Sequence, residues 1–270
     1  MRSWLNTDNI RRDGEGIEYH PLIPFLPVNA KVLFLGSFPP QRKRWCIDFY
    51  YPNFINDHWR IEGAVFFADR NHFVLPDAKR FNLEAIVTFC QERGIAFFDT
   101  ATAVRRLKDN AADQYLEVVE PTDLHALLRQ LPSLEVIVTT GQKATEVLCQ
   151  YFAIAQVPKV GASVLIPNVM GTNGIGSDVL IPNAMGTDAI DSDVLIPNVM
   201  GTDAIDSDGL IPNVMGTNGI GTSVLIPNVM GSDGHQVRLH RLPSSSRAYP
   251  LSFDKKVLYY KEMFLEAGLL

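Results

Sequence analysis

Cysteine is scarce: Cys46, Cys90 and Cys149 stand far apart with no CxxC pair in 270 residues. Three are too few for a four-cysteine iron–sulfur cluster and an odd number for a disulfide framework, so a reducing, cytoplasmic compartment is expected. No run approaches the roughly eighteen apolar residues of a membrane-spanning helix, and the Met-Arg-Ser-Trp start lacks the apolar core of a secretion signal. His20, His58, His72, His125, His235 and His240 show no metal-ligand spacing with cysteine or aspartate, so no metal, and no zinc deaminase chemistry, is expected. Gly141-Gln142-Lys143-Ala144 looks like a helix N-terminus able to receive a phosphate. It lacks the glycine spacing of a P-loop or dinucleotide fingerprint, which argues against nucleotide-driven or redox chemistry and against a cofactor. What the chain does have is apolar substance: 46% hydrophobic and 10% aromatic residues suffice for a packed core, with glycine and proline near average usage.

Basic residues are missing from one long stretch. Val164-Leu165-Ile166-Pro167-Asn168-Val169-Met170-Gly171 returns, with few substitutions, at Val179, Val194, Gly209 and Val224, a spacing of fifteen residues. The five copies, the last truncated, fill residues 164–234 with eight aspartates and no lysine or arginine. The formal charge of −6 therefore hides a slightly basic remainder of 24 basic against 22 acidic groups. Fixed-period repetition can build a solenoid with a Val-Leu-Ile strand per coil. Proline at the fourth position removes a ladder donor, however, and the Gly-Thr-Asp and Asp-Ser-Asp segments offer turn chemistry, which favours a loosely structured insertion. The aspartates lack the glycine pattern of calcium-binding β-rolls.

Outside the repeats, strands and helices alternate, which predicts an α/β fold. The expectation is a three-layer α/β/α sandwich around a mainly parallel four-stranded sheet, one domain of residues 1–163 and 235–270 interrupted by 164–234. Strands are read at Lys31–Leu35, Ile95–Phe98, Leu134–Thr139 and Gln236–Leu242. Helices are read from Asn82 to a stop at Gly94, from a Thr122 cap through Leu131, from Gly141 through Leu148, and from Ser252 with Phe253, Val257, Tyr260 and Phe264 inward. In open sheets ligands sit beyond the carboxyl ends of the strands, so the loops at Gly36, Asp99, Gly141 and Pro243 should converge on one crevice.

Those loops carry the informative residues. After the first strand come Gly36-Ser37-Phe38-Pro39-Pro40, then Arg42-Lys43-Arg44, then Tyr50-Tyr51 with Asn56 five residues on and Trp59 three beyond. Before the last helix comes Pro243-Ser244-Ser245-Ser246-Arg247-Ala248. This pairing of a Gly-x-x-Pro loop with a Pro-Ser-rich loop resembles the uracil-DNA glycosylase superfamily. The Tyr-Tyr…Asn…Trp segment is most similar to its hypoxanthine-DNA (deoxyinosine) glycosylase branch. The resemblance spans roughly residues 30–160 and 236–270 and takes in Gly94–Asp99 and Thr140–Ala144.

The resemblance implies a role for each residue. The position before the first-motif proline often holds an Asp or Asn that positions the attacking water; here it is Phe38, and in the hypoxanthine-type branch the duty falls on the Asn that matches Asn56. The alternative for Asn56 is the cap of a helix entering Asp57-His58-Trp59. Phe38 or Tyr51 would stack an extruded base, or pack in the core beneath the loop. With Gly36 and Ser37 they line the base site. Asp99 would read a base edge, or cap a helix beginning near Ala101. Pro243 would rigidify the second loop, Ser244, Ser245 and Ser246 would hold DNA phosphates, Arg247 would enter the duplex gap or pair with a phosphate, and Arg42, Lys43, Arg44 and Arg241 would form a basic rim, unless that run is a solvated face.

The function implied is that of a monofunctional glycosylase in base excision repair, acting as a monomer on DNA that carries a deaminated base, hypoxanthine or uracil. Breaking an N-glycosidic bond develops positive charge on the sugar and negative charge on the base, which calls for positioned water and hydrogen-bond donors rather than a metal. No lysine lies in the recognised motifs to form a Schiff base, which argues against lyase activity. The alternatives are a DNA-binding protein that kept the fold and lost catalysis, and a small-molecule hydrolase, the latter weakened by the lack of a nucleophile elbow.

Overall fold

In the computed structural model, residues 4–6, 16–107, 115–167 and 236–270 are described. All belong to one unit of the chain, 1–172 with 231–270; the other unit, 173–230, lies outside them. Two near-continuous apolar runs, β2 (Val32–Gly36) and β5 (Ile95–Asp99), pair in parallel, as strands covered on both faces do. β8 (Val136–Thr139) adds to the other side of β2, and β10 (Arg238–Arg241) adds to β8, both in parallel. A fifth strand, β9 (Ser163–Leu165), closes the edge antiparallel to β10, giving the order β5-β2-β8-β10-β9. The expected four-stranded sheet is thus extended by one strand.

That extra strand belongs to the first repeat copy. Val164 and Leu165 pair with Leu239 and Arg238, and Ile166 is buried while its N–H donates to the Val237 carbonyl. The expected domain boundary at Ser163 therefore falls inside β9, because a Val-Leu-Ile run before a proline satisfies an edge strand as readily as an insertion. The copies beyond Pro167 lie outside the described residues.

Strand alternation places the helices on two faces. Phe34 meets Tyr260 and Phe264 of α5 (Phe253–Glu266) and His58 of α1 (His58–Phe67). On the opposite face, Thr139 in register with Leu35 bonds Thr145 of α4 (Gln142–Tyr151). α2 (Leu83–Arg93) joins the first face through Phe89 against Phe66, and α3 (Leu124–Leu128) joins α4 through His125 against Phe152.

Local signals explain most boundaries. Asn82 caps α2 by accepting from the Ala85 N–H, and Gly94 ends it in the left-handed region at φ 67°. The cap of α3 is Asp123 rather than Thr122; the Thr122 hydroxyl instead donates to the Asp99 carbonyl at 2.7 Å. Ser252 caps α5, whose buried residues are Lys256, Tyr260, Met263 and Phe264, with Phe253 and Val257 only partly covered.

No helix begins near Ala101. Ala101–Arg106 is strand β6, set between β1 (Ile17–Tyr19) and β7 (Leu116–Pro121) in a second, antiparallel sheet, so Asp99 caps nothing there. β3 (Val74–Leu75) and β4 (Arg80–Phe81) form a small hairpin. No helix among the described residues is long and apolar enough to cross a membrane.

Candidate active site

The carboxyl ends of β2, β5, β8 and β10 open onto one cavity of about 510 Å³, and the loops after them form its wall. Gly36, Ser37, Phe38, Tyr51, Asn56, Asp99, Arg44, Ser244, Ser246 and Arg247 all line it. Arg42, Pro243 and Ser245 do not. Arg42 pairs with Asp48 at 2.7 Å and lies over the Trp45 ring, so it is tied to its own loop. Pro243 and Ser245 are buried, and the Ser245 carbonyl accepts from the Asp57 N–H at 3.0 Å, binding the Pro-Ser loop to the residue after Asn56.

The Tyr50–Asn56 loop is held from several sides. The Trp59 indole donates to the Tyr50 carbonyl at 3.1 Å, tying the start of the loop to α1. Arg60 donates to the carbonyls of Phe54 and Asn56 at 2.8 and 3.3 Å and lies over the Phe54 ring. Tyr51 takes φ 48°, a left-handed conformation costly for a bulky residue, and stacks its ring on His58 at 3.6 Å. Its hydroxyl reaches Thr140 at 3.5 Å, and burial pushes the phenol well above its ordinary range. One face of Tyr51 is thereby committed to His58.

The Asn56 side-chain oxygen accepts from the His58 N–H at 2.9 Å, although the cap position of α1 itself is Asp57. An amide oxygen has two lone pairs, so this bond orients the side chain and leaves one acceptor site over.

Phe38 has both expected environments. It packs on Ala101, Val104 and Leu116, yet it also lines the cavity. Arg106 braces its loop by donating to the Pro39 carbonyl and to Glu18, with its guanidinium 5.7 Å from the Phe38 ring centroid.

Asp99 is only 6% exposed and approaches the β2 end closely: a Cβ on Gly36 would stand 2.2 Å from the Asp99 Oδ1. Only glycine leaves room for that carboxylate. Its other oxygen lies 2.8 Å from the His20 Nε2. Composition and spacing gave no hint of His20, which is 79 positions from Asp99 and comes to it through the second sheet, where β1 pairs with β6.

The rim opposite is a charged cluster. Arg247 donates to Asp57 at 2.8 Å, and Lys256, 1% exposed, donates to the Ser246 carbonyl at 2.7 Å. Burial depresses the Lys256 ammonium; Asp57 opposes that shift and Arg247 adds to it. The Ser244 and Ser246 hydroxyls accept from backbone N–H groups of Ser246 and Ala248, shaping the loop as tight turns. Lys143, at the expected phosphate-receiving helix end, instead donates to the Leu116 carbonyl. Among the described residues no group of three or more His, Cys, Asp and Glu side chains is placed to hold a metal ion.

No protein-family model and no curated protein matches the chain. Among solved structures it is similar to a solution NMR structure of a "putative uracil DNA glycosylase" from Methanosarcina acetivorans. The identity is 25%, over 48% of this chain and 73% of that one, with a TM-score of 0.37.

Proposed function

We propose that this chain is a monofunctional DNA glycosylase that hydrolyses the N-glycosidic bond of a deaminated base, hypoxanthine or uracil, flipped out of DNA for base excision repair. The observation that carries the reading is the convergence of both signature loops, Asn56 and Asp99 on one cavity large enough for a nucleobase.

In this reading the extruded base enters against Phe38 and Tyr51, while Arg44 and Arg247 at the rim attract the flanking phosphates. The free acceptor site of Asn56 takes a hydrogen bond from the attacking water. The C1′–N bond breaks first and its electron pair leaves with the base; the water oxygen then bonds C1′, and its proton passes to solvent. A neutral amide activates water weakly, which suits a sugar cation already formed and a leaving group made labile by deamination. No residue of the chain becomes covalently attached.

One observation favours a second reading, a DNA-binding protein without catalysis: Asn56 already serves as an acceptor for the His58 N–H. The two separate on incubation with duplexes carrying uracil, hypoxanthine, xanthine or a G·T mismatch, followed by alkali. Strand breaks at uracil or hypoxanthine, appearing only after alkali, are expected. Lesion binding with no breaks would select the inactive protein, and neither binding nor breaks would overturn both readings.

A further inference from the structure

Asp99 and His20 form a buried couple on the cavity wall, and its geometry fixes what a base would meet there. His20 is 2% exposed. Its Nδ1 is tied to the backbone of Leu22, 2.8 Å from the carbonyl and 3.2 Å from the N–H. Phe98 at 4.8 Å and Phe38 at 5.3 Å confine the ring between centroids, so the imidazole cannot turn away. Its Nε2 can therefore face only the Asp99 Oδ2, at 2.8 Å.

Two proton arrangements keep the couple's hydrogen bond strong, and both leave the same atom bare. If Nε2 carries the proton, it donates to an ionised carboxylate. If Oδ2 carries it, the carboxyl donates to Nε2 and the Nδ1 proton donates to the Leu22 carbonyl. In either case Oδ1, the oxygen lying over Gly36, keeps its lone pairs. A proton on Oδ1 would turn the charge-assisted bond from Nε2–H into a weaker neutral one, so the couple favours Oδ1 as an acceptor.

We infer that His20 is a positioning residue that holds Asp99 Oδ1 as a hydrogen-bond acceptor, so that the site selects bases presenting a ring N–H. This rests on the glycosylase reading above. Hypoxanthine carries such a donor at N1 and uracil at N3. Adenine and cytosine present a bare ring nitrogen at the equivalent edge, and a lone pair facing Oδ1 is repelled. Deamination creates the ring N–H, so a fixed acceptor reads the chemical change that defines the lesion. Rejection is strong at such a site because a buried acceptor is left without its partner.

The test compares single-turnover base release from duplexes holding hypoxanthine or 1-methylhypoxanthine, and uracil or 3-methyluracil, the methyl group replacing the donor. The intact chain should prefer each N–H base over its methylated form by about tenfold or more. His20→Leu should erase most of that preference, chiefly through the rate for the N–H base, with binding of the duplex little changed. His20→Gln, whose amide N–H reaches Asp99, should restore it, and His20→Asn, too short, should not. In an Asp99→Ala background His20→Leu should change nothing further.

Should His20→Leu fail to fold, the Gln and Asn variants carry the same comparison. If the wild-type chain releases base and the preference survives in His20→Leu and His20→Asn, the inference is wrong and the glycosylase reading stands. If the wild-type chain releases no base, both fall.

Discussion

The Asn56 oxygen accepts from the His58 N–H and, in the proposed reading, also from the attacking water, so the outcome of removing it depends on which bond dominates. Asn56→Ala should abolish most turnover while lesion-DNA affinity stays within a few-fold, since the residue touches the reacting water rather than the phosphates. A lowered thermal transition with near-normal cleavage would leave it only the backbone bond to His58. A second residue-scale test lies beneath Tyr51. His58 and Glu62 are wholly buried, 3.5 Å apart, and their side-chain polar atoms have no hydrogen-bond partner. Burial pushes Glu62 well above its ordinary 4.5 and His58 well below its ordinary 6.5. Folded Glu62 keeps a proton that the unfolded chain releases, so its effect is a loss of stability as pH rises above 4.5. His58 acts oppositely, costing stability as pH falls below 6.5, because only the unfolded chain takes up its proton. Glu62→Gln should therefore gain on the wild type by up to about 1.4 kcal/mol for each pH unit above the carboxyl range, read from urea unfolding between about pH 5 and about pH 8. A difference that does not change with pH would mean that Glu62 is ionised in the fold.

At the scale of elements, β9 decides where the repeats can be cut. Ser163–Gly171 and Ser223–Gly231 have the same nine-residue sequence, so deleting 164–223 joins Ser163 to Val224 and rebuilds Ser-Val-Leu-Ile-Pro ahead of β10. That variant should fold as the full chain does, with equal or higher glycosylase activity, because loop closure grows only logarithmically with length and seven negative charges that disfavour a polyanionic partner are removed. Deleting 164–234 removes the edge strand and the burial of Ile166, and should cost about 2 kcal/mol or more. Equal midpoints for the two deletions, by thermal unfolding, would show that β9 contributes nothing. The same strand marks a limit of legibility. β2, β5 and the Asn82–Gly94 helix were readable because apolar runs and caps are local signals. β9 was not, since its residues match four other copies, and β6 was not, since Asp99-Thr100-Ala101 reads locally as a helix start and only pairing with Ile17–Tyr19 makes it a strand. In the site, Asn56, Phe38, Asp99 and Arg247 were legible through motifs, whereas His20, Arg60 and Lys256 act through contacts distant in sequence that no spacing encodes.

For the whole molecule the balance of charge and shape is informative. The chain carries −6, yet Arg44 and Arg247 border the cavity, which both signature loops line, and the Asp57–Ser245 bond ties the Asn56 segment to the second of them. In the proposed reading this cavity excises a base by hydrolysis, without covalent attachment of the protein. That reading is tested most directly by single-turnover reaction of the intact 270-residue chain with a hypoxanthine- or uracil-containing duplex in the presence of borohydride, with free base and protein–DNA adducts both quantified. The account predicts one free base for each lesion consumed and no trapped adduct. A bound duplex that releases no base, or a borohydride-trapped adduct accumulating with the released base, would contradict it.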